Sequence, residues 1–221
     1  MMKFLSKYGF YFFLAGILSD LSTPYILGMF YPGLNQFERV ISTFGDVASP
    51  VRGAFLIVSV ISGSLLLLAV PAVYRVFSRH SVKLGVIALL SLGFYAIGDC
   101  IFTGLFSINT QQETWGISTW IHNIGSGIGY GGFLLFPFLI VIYYLNREED
   151  SKKRFYSVLL LMSLFFAAVY GFARVPEVNH LPFLNQLGLC QRVSYLFTYL
   201  PAAFFAWNHL REAGQELSNE E

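Results

Sequence analysis

The chain has 221 residues, of which 55% are apolar and only 12% charged, with a formal net charge of +1. A soluble domain carries roughly 25% charged residues, so half the usual polar surface is missing and lipid is expected to face most of the exterior. The near-neutral balance gives no footing for nucleic acid or for strongly acidic partners, and no polar stretch is long enough to form a separate soluble domain.

Lys3 and Lys7 precede an apolar run from Tyr8 to Gly28. At about 20 residues the run is too long for the core of a secretory signal and right for a helix crossing about 30 Å of hydrocarbon. No small-residue cleavage site closes it, so it reads as a retained first span. Five further stretches have similar length, which places spans at about 8–28, 51–75, 82–108, 120–145, 154–175 and 188–210. Helices are expected because backbone in lipid must satisfy its own hydrogen bonds, and the period-2 alternation of a barrel is absent. The expected fold is therefore all-α: a polytopic bundle of six transmembrane helices forming a single domain over 1–211, followed by a polar tail, 212–221.

The first connection contains Tyr31-Pro32-Gly33-Leu34-Asn35. Pro-Gly predicts a turn, and Asn35 with Glu38 three residues on resembles a capping box. Phe37, Val40, Ile41 and Phe44 follow at helical spacing, with Gly45 as a stop. This predicts a short amphipathic helix in the first outer loop. It could anchor at the membrane surface, or act as a lid with Glu38 and Arg39 facing the mouth of a pocket. In the fourth span, Gly125 and Gly129 form one GxxxG pair and Gly127 and Gly131 another. Small residues allow close helix approach, which predicts a central position for that span. The run is no dinucleotide fingerprint, because no strand precedes it.

Placing the N-terminus inside leaves only Arg39, Arg52, Arg174 and Arg192 on the outer side, against the ten other basic residues of the chain's fourteen on the inner side. The excess of inner lysines and arginines predicts cytoplasmic N- and C-termini in a cell (inner) membrane. The same topology sorts the costly residues. Asp20 lies eight residues before the end of the first span, or roughly 12 Å deep at 1.5 Å per residue. Asp99 lies at similar depth in the third. Arg52 opens span two, His122 opens span four, Arg174 closes span five and Arg192 opens span six. All fall in the outer half. Ionisable groups within a membrane mark functional sites or fixed pairs. Asp20, Asp99, His122, Arg174, Arg192 and Arg52 are thus candidate ligand-binding residues around an outward-facing polar pocket, with Tyr95, Thr103, Asn109, Asn123 and Ser126 as possible neutral partners. The blander alternative is that the two acids pair with Arg52, Arg174 or Arg192 merely to fix helix register. Cys100 and Cys190 belong to no CxxC pair; two buried thiols are expected, although a disulfide is conceivable.

The segments Tyr31-Pro32-Gly33-Leu34-Asn35 and Ile41-Ser42-Thr43-Phe44-Gly45 resemble the P-G-Y-N…I-S-x-L-G signature of the domain of unknown function family 998. The second span's glycines and serines, the region around Asp99 and the early histidine of span four are similar too. Leu34 stands where that pattern has an aromatic, and Phe44 where it has leucine. The resemblance implies a bacterial or archaeal multi-pass membrane protein and carries no activity with it.

Three functions compete. The first is binding of a lipid or small amphiphile in the pocket, in a transport or sensing role, with membrane lipids as partners. A second is an intramembrane hydrolase acting on a lipid head group, with Asp99 and His122 as candidate catalytic residues. Intramembrane hydrolases of the alkaline-ceramidase type hold zinc with several histidines, but here only His122 and His180 lie on the outer side. A mixed site of His122, Asp99 and His180 is conceivable, yet no spacing requires a metal or any other cofactor, and no HExxH, GxSxG or Walker loop is present. The third is a structural subunit of a larger complex, whose polar residues would be fully self-paired around no cavity.

Overall fold

The computed structural model describes residues 2–218 except 146 and 148, and no strand occurs among them. The helices α1 (Met2–Gly28), α2 (Arg52–Ser78), α3 (Val82–Leu105), α4 (Ile117–Leu145) and α5 (Asp150–Ala173) are each long and apolar enough to cross a membrane. A further helix, α6 (Leu187–Ser218), has 32 residues and is the least apolar of the six. It continues through 212–218, where a separate tail was expected; residues 219–221 lie outside the described residues, as do 146 and 148 of the charged link before α5. The first span starts six residues earlier than expected and the fifth four residues earlier.

The helices pack in sequence order, α1 on α2, α2 on α3, α3 on α4 and α5 on α6, and the ring closes through α6 on α1. One end of the bundle carries both termini. There Phe10, Phe77, Phe136, Tyr143 and Phe205 interlock, with Phe77 stacked on Phe205 at 5.1 Å between centroids. Edge-to-face and offset stacking of this kind adds to area burial and fills that half of the bundle with carbon. Lys152, near the start of α5, bonds Glu212 of α6 at 2.8 Å and pairs with Glu149 at 2.6 Å.

The opposite end is more open, for two local reasons. In α3 the turn Tyr95–Ile101 is π-helical; its extra residue per turn bulges the backbone, a deformation often found at functional positions. Helix α4 is interrupted at Leu134, three residues before Pro137, which cannot donate to the Phe133 carbonyl. Beyond the interruption, 135–145 packs on α5 and α6, whereas 117–133 packs chiefly on α3. Only side chains bridge the remaining gap: Tyr130 stacks on Tyr195 at 4.9 Å and meets the Tyr170 ring at 5.9 Å.

The two GxxxG pairs of α4 therefore have different roles. Gly125 and Gly129 face the π turn, where a Cβ on Gly129 would lie 2.8 Å from the Asp99 Cβ and one on Gly125 would lie 2.9 Å from the Gly98 carbonyl oxygen. Gly127 and Gly131 have open space where a Cβ would be.

The 29–51 connection departs from the expected amphipathic helix. The Asn35 carbonyl accepts the N–H groups of Glu38 and Arg39, and its side chain accepts that of Phe37 at 3.1 Å, which closes a turn. Val40 is extended, and only Ile41–Gly45 winds into a short 3-10 helix. Tertiary bonds override the local helical pattern. Gln191 of α6 accepts the Ile41 N–H at 2.7 Å, and the Phe37 carbonyl accepts the Leu189 N–H at 2.8 Å. Asp46 then fastens this connection to the next one, accepting from Ala48 N at 2.8 Å and Thr110 N at 2.9 Å. Burial alone would raise the Asp46 carboxyl, but the Ala48 N–H and the hydroxyl and N–H of Thr110 together hold it below the ordinary carboxylate range.

Gly129→Ala is expected to lower unfolding stability in detergent by about 1–3 kcal/mol through overpacking, whereas Gly131→Ala is neutral or gains up to about 1 kcal/mol of helix propensity. Equal melting temperatures for the two variants would show that the π turn yields to the added methyl group.

Candidate functional site

Asp20 on α1 and Asp99 in the π turn of α3 reach the same space from different helices. Asp20 accepts a hydrogen bond from the Tyr95 hydroxyl at 2.8 Å and another from the Tyr199 hydroxyl of α6. Those two hydroxyls also meet each other. Cys100 Sγ stands 3.9 Å from the second Asp20 oxygen. Asp99 accepts from Ser126 of α4, and from the Tyr195 hydroxyl at 2.9 Å. Both carboxyls are thus tied to α6 by phenols one helical turn apart. Neither forms an ion pair among the described residues, where such pairs join only Arg147, Glu149, Lys152 and Glu212.

Together they line a cavity of about 390 Å³, within the roughly 300–1,000 Å³ usual for small-molecule sites. His122, Arg174 and Arg192 line it as well. Arg192 is 5% exposed and His122 1%. The Arg192 guanidinium donates to the carbonyls of Arg39 and Gly188, both at 2.9 Å, while its Nε has no acceptor. His122 Nδ1 lies 2.7 Å from the Phe106 carbonyl, so that nitrogen carries the proton and donates; Nε2 has no partner. Arg174 caps the end of α5, with its guanidinium 5.4 Å from the Tyr170 ring centroid. On the side of the termini, Tyr95, whose hydroxyl bonds Asp20, stacks on Phe133 at 4.6 Å, and Phe133 on Phe136 at 5.6 Å, an aromatic floor beneath the cavity lining.

Five of the six candidate ligand-binding residues therefore share one cavity. Arg52 does not; it is exposed, and its Nε donates to Ser107 at 2.7 Å. It opens α2 on the face turned toward the 106–116 connection, a direction that its depth alone could not reveal. Glu38 and Arg39 are exposed and line nothing; the connection reaches the cavity through Val40, Ile41 and Ser42 instead. Of the neutral candidates, Tyr95 and Ser126 bond the two acids. Thr103 and Asn123 line the cavity, and Asn109 folds onto its own loop by accepting the Gln111 N–H.

Asp99 and His122 share no hydrogen bond, each being held by other groups. No three His, Cys, Asp or Glu side chains gather as a metal-holding group among the described residues, so His122, Asp99 and His180 are not assembled. Cys100 and Cys190 are both free and buried.

The residues that composition and depth did not single out are Tyr195 and Tyr199. Their signal was available: Arg192, Tyr195 and Tyr199 fall at i, i+3 and i+7, one face of a helix. Phenols are common enough in membrane helices that the face is recognisable only once the acids opposite it are known.

This arrangement defines a multi-pass helical membrane protein with ionisable groups gathered inside its bundle. The sequence profile of the family described as protein of unknown function (DUF998) matches residues 14–208, and the chain belongs to that family. No curated protein matches the chain, and neither does any solved structure.

Tyr195→Phe and Tyr199→Phe each take a hydroxyl donor from one buried carboxyl, and each is expected to cost about 1–3 kcal/mol in detergent unfolding. Arg52→Gln, which touches the part-buried bond to Ser107 and neither acid, is expected to cost no more than about 1 kcal/mol. Tyrosine variants as stable as the parent would mean that water already supplies those donors.

Proposed function

We propose that the chain is a six-span membrane protein, with both termini cytoplasmic, whose outward-facing cavity binds a lipid or small amphiphile in a transport or sensing role. The observation that carries this reading is the set of ionisable side chains, Asp20, Asp99, His122, Arg174 and Arg192, that line one cavity with no ion pair between them among the described residues. Burying such groups is costly unless something bonds them, and a ligand in the cavity can. Exposed apolar side chains at the rim, Ile124 and Trp115 among them, suit an amphiphile better than a fully polar solute.

The sixth span is α6. Its polar residues Gln191, Arg192, Ser194, Tyr195, Thr198 and Tyr199 make it the least apolar of the six helices, and all of them are buried within the bundle. The inner excess of lysine and arginine supports cytoplasmic termini. The aromatic floor under Asp20 and Asp99 favours holding a ligand over an open passage through the bundle.

Native mass spectrometry of protein released from gentle detergent is expected to detect a co-purifying amphiphile, retained less by Asp99→Asn than by the parent. Unaltered retention with unaltered melting in that variant would remove Asp99 from the site. The orientation is checked separately: reporters fused at either terminus are expected to be active on the cytoplasmic side, and a periplasmic signal from both would reverse the topology.

A further inference from the structure

The cavity presents acids and arginines that do not pair with one another. Asp20 and Asp99 accept from hydroxyls, and Arg192 donates to the carbonyls of Arg39 and Gly188 and to Gln36 Oε1 at 3.4 Å. Each carboxylate can accept about four hydrogen bonds, so both retain capacity toward the cavity. The charges are also ordered in depth. Tyr199 marks the level of Asp20 on α6 and Tyr195 that of Asp99, while Arg192 lies three residues nearer the start of the helix. At 1.5 Å per residue the arginine sits about 4.5 Å above the Asp99 level and about 10 Å above that of Asp20. Arg174, at the end of α5, lines the same cavity.

The wall also has a side opening. Where 117–133 of α4 stands away from α5, the cavity is bordered by Ile124 and Gly127 on one side and by Tyr170 and Arg174 on the other. Ile124, Gly127 and Arg174 are exposed on the outside of the bundle, and a Cβ on Gly127 would meet nothing within 4 Å. Helix α5 itself is the least buried of the candidate spans. This cleft opens sideways, toward where acyl chains would lie.

We infer that the cavity takes a phospholipid with a zwitterionic head, its ammonium group deep at Asp99 and Asp20, its phosphate higher at Arg192 and Arg174, and its chains leaving through the cleft between α4 and α5. The order of groups fits at the cleft: in such a lipid the phosphate lies between the ammonium and the chains, and Arg174, which borders the opening, would meet that phosphate. The guanidinium groups of Arg174 and Arg192 supply the donors for the phosphate oxygens. The inference rests on the amphiphile reading above and adds the chemistry of the ligand and its route of entry.

The test uses the full chain in nanodiscs and native mass spectrometry. Phosphatidylethanolamine competes in turn with phosphatidylglycerol, which lacks the ammonium, and with chain-free glycerophosphoethanolamine. The parent is expected to retain phosphatidylethanolamine about tenfold over phosphatidylglycerol, and Asp99→Asn is expected to level the two. Gly127→Trp, which fills the cleft where no neighbour stands, is expected to abolish lipid retention, while Gly131→Trp, away from the cavity, retains lipid like the parent. Equal retention of both lipids by the parent would overturn the zwitterionic head and leave the amphiphile reading intact. Displacement of lipid by glycerophosphoethanolamine at equal concentration would overturn the lipid source in favour of a soluble zwitterion. Retention by Gly127→Trp equal to that of Gly131→Trp would overturn the side route. No lipid held by the parent above the level of protein-free discs would sink the amphiphile reading itself.

Discussion

Two carboxyl groups inside an apolar bundle need hydrogen-bond donors, and the rest of this structure is arranged around supplying them. In hydrocarbon each unsatisfied polar group costs several kcal/mol, so Asp20 and Asp99 can be present only where other helices bring donors to them. Helix α6 brings Tyr199 to the first and Tyr195 to the second; α4 brings Ser126, and α3 brings Tyr95. Four helices are thereby fixed in mutual register by hydroxyls. The same bonds explain why α6 is less apolar than the five other helices: a helix that must bring donors to two acids cannot also be uniformly apolar.

The cavity follows from that solution together with two backbone irregularities. The π turn moves Asp99 outward from the line of α3, and only glycine at 125 and 129 lets α4 approach it closely. Once 117–133 is drawn onto α3, the interruption at Leu134 allows 135–145 to remain packed on α5 and α6. A helix pulled to one side at one end and held to the other side at the other end leaves a gap between its displaced half and its former neighbours. Tyr130 fills the lower part of that gap, meeting Tyr170 and Tyr195.

Much of this was legible in the order of residues. The five most apolar helices lie where hydropathy put them, with ends displaced by up to six residues, and the depth of Asp20 and Asp99 with His122, Arg174 and Arg192 marked five side chains that line one cavity. What failed did so for geometric reasons. Arg52 shares the depth of the others but points away, because depth along a helix says nothing about direction around it. The stripe Phe37, Val40, Ile41 and Phe44 has helical period, yet Gln191 captures the Ile41 N–H and leaves a 3-10 turn in place of the helix. The two GxxxG pairs are indistinguishable as patterns; only the position of α3 decides that Gly125 and Gly129 pack while Gly127 and Gly131 do not.

The contrast between Arg192 and the two acids carries the argument furthest. A scaffold that required a buried arginine and buried carboxylates would be most economical if it paired them, since opposite charges in a medium of low dielectric attract strongly. Here the arginine is held by carbonyl groups and the acids by phenols, and they stand at successive depths around the same space. Keeping them apart forgoes the mutual neutralisation that a structural role would use. It leaves instead two acids lower and the arginines higher around one space, each held by neutral partners. Neutral hydrogen-bond partners orient charged groups without cancelling them, which is what a site complementary to a dipolar ligand requires and what a register-fixing ion pair does not.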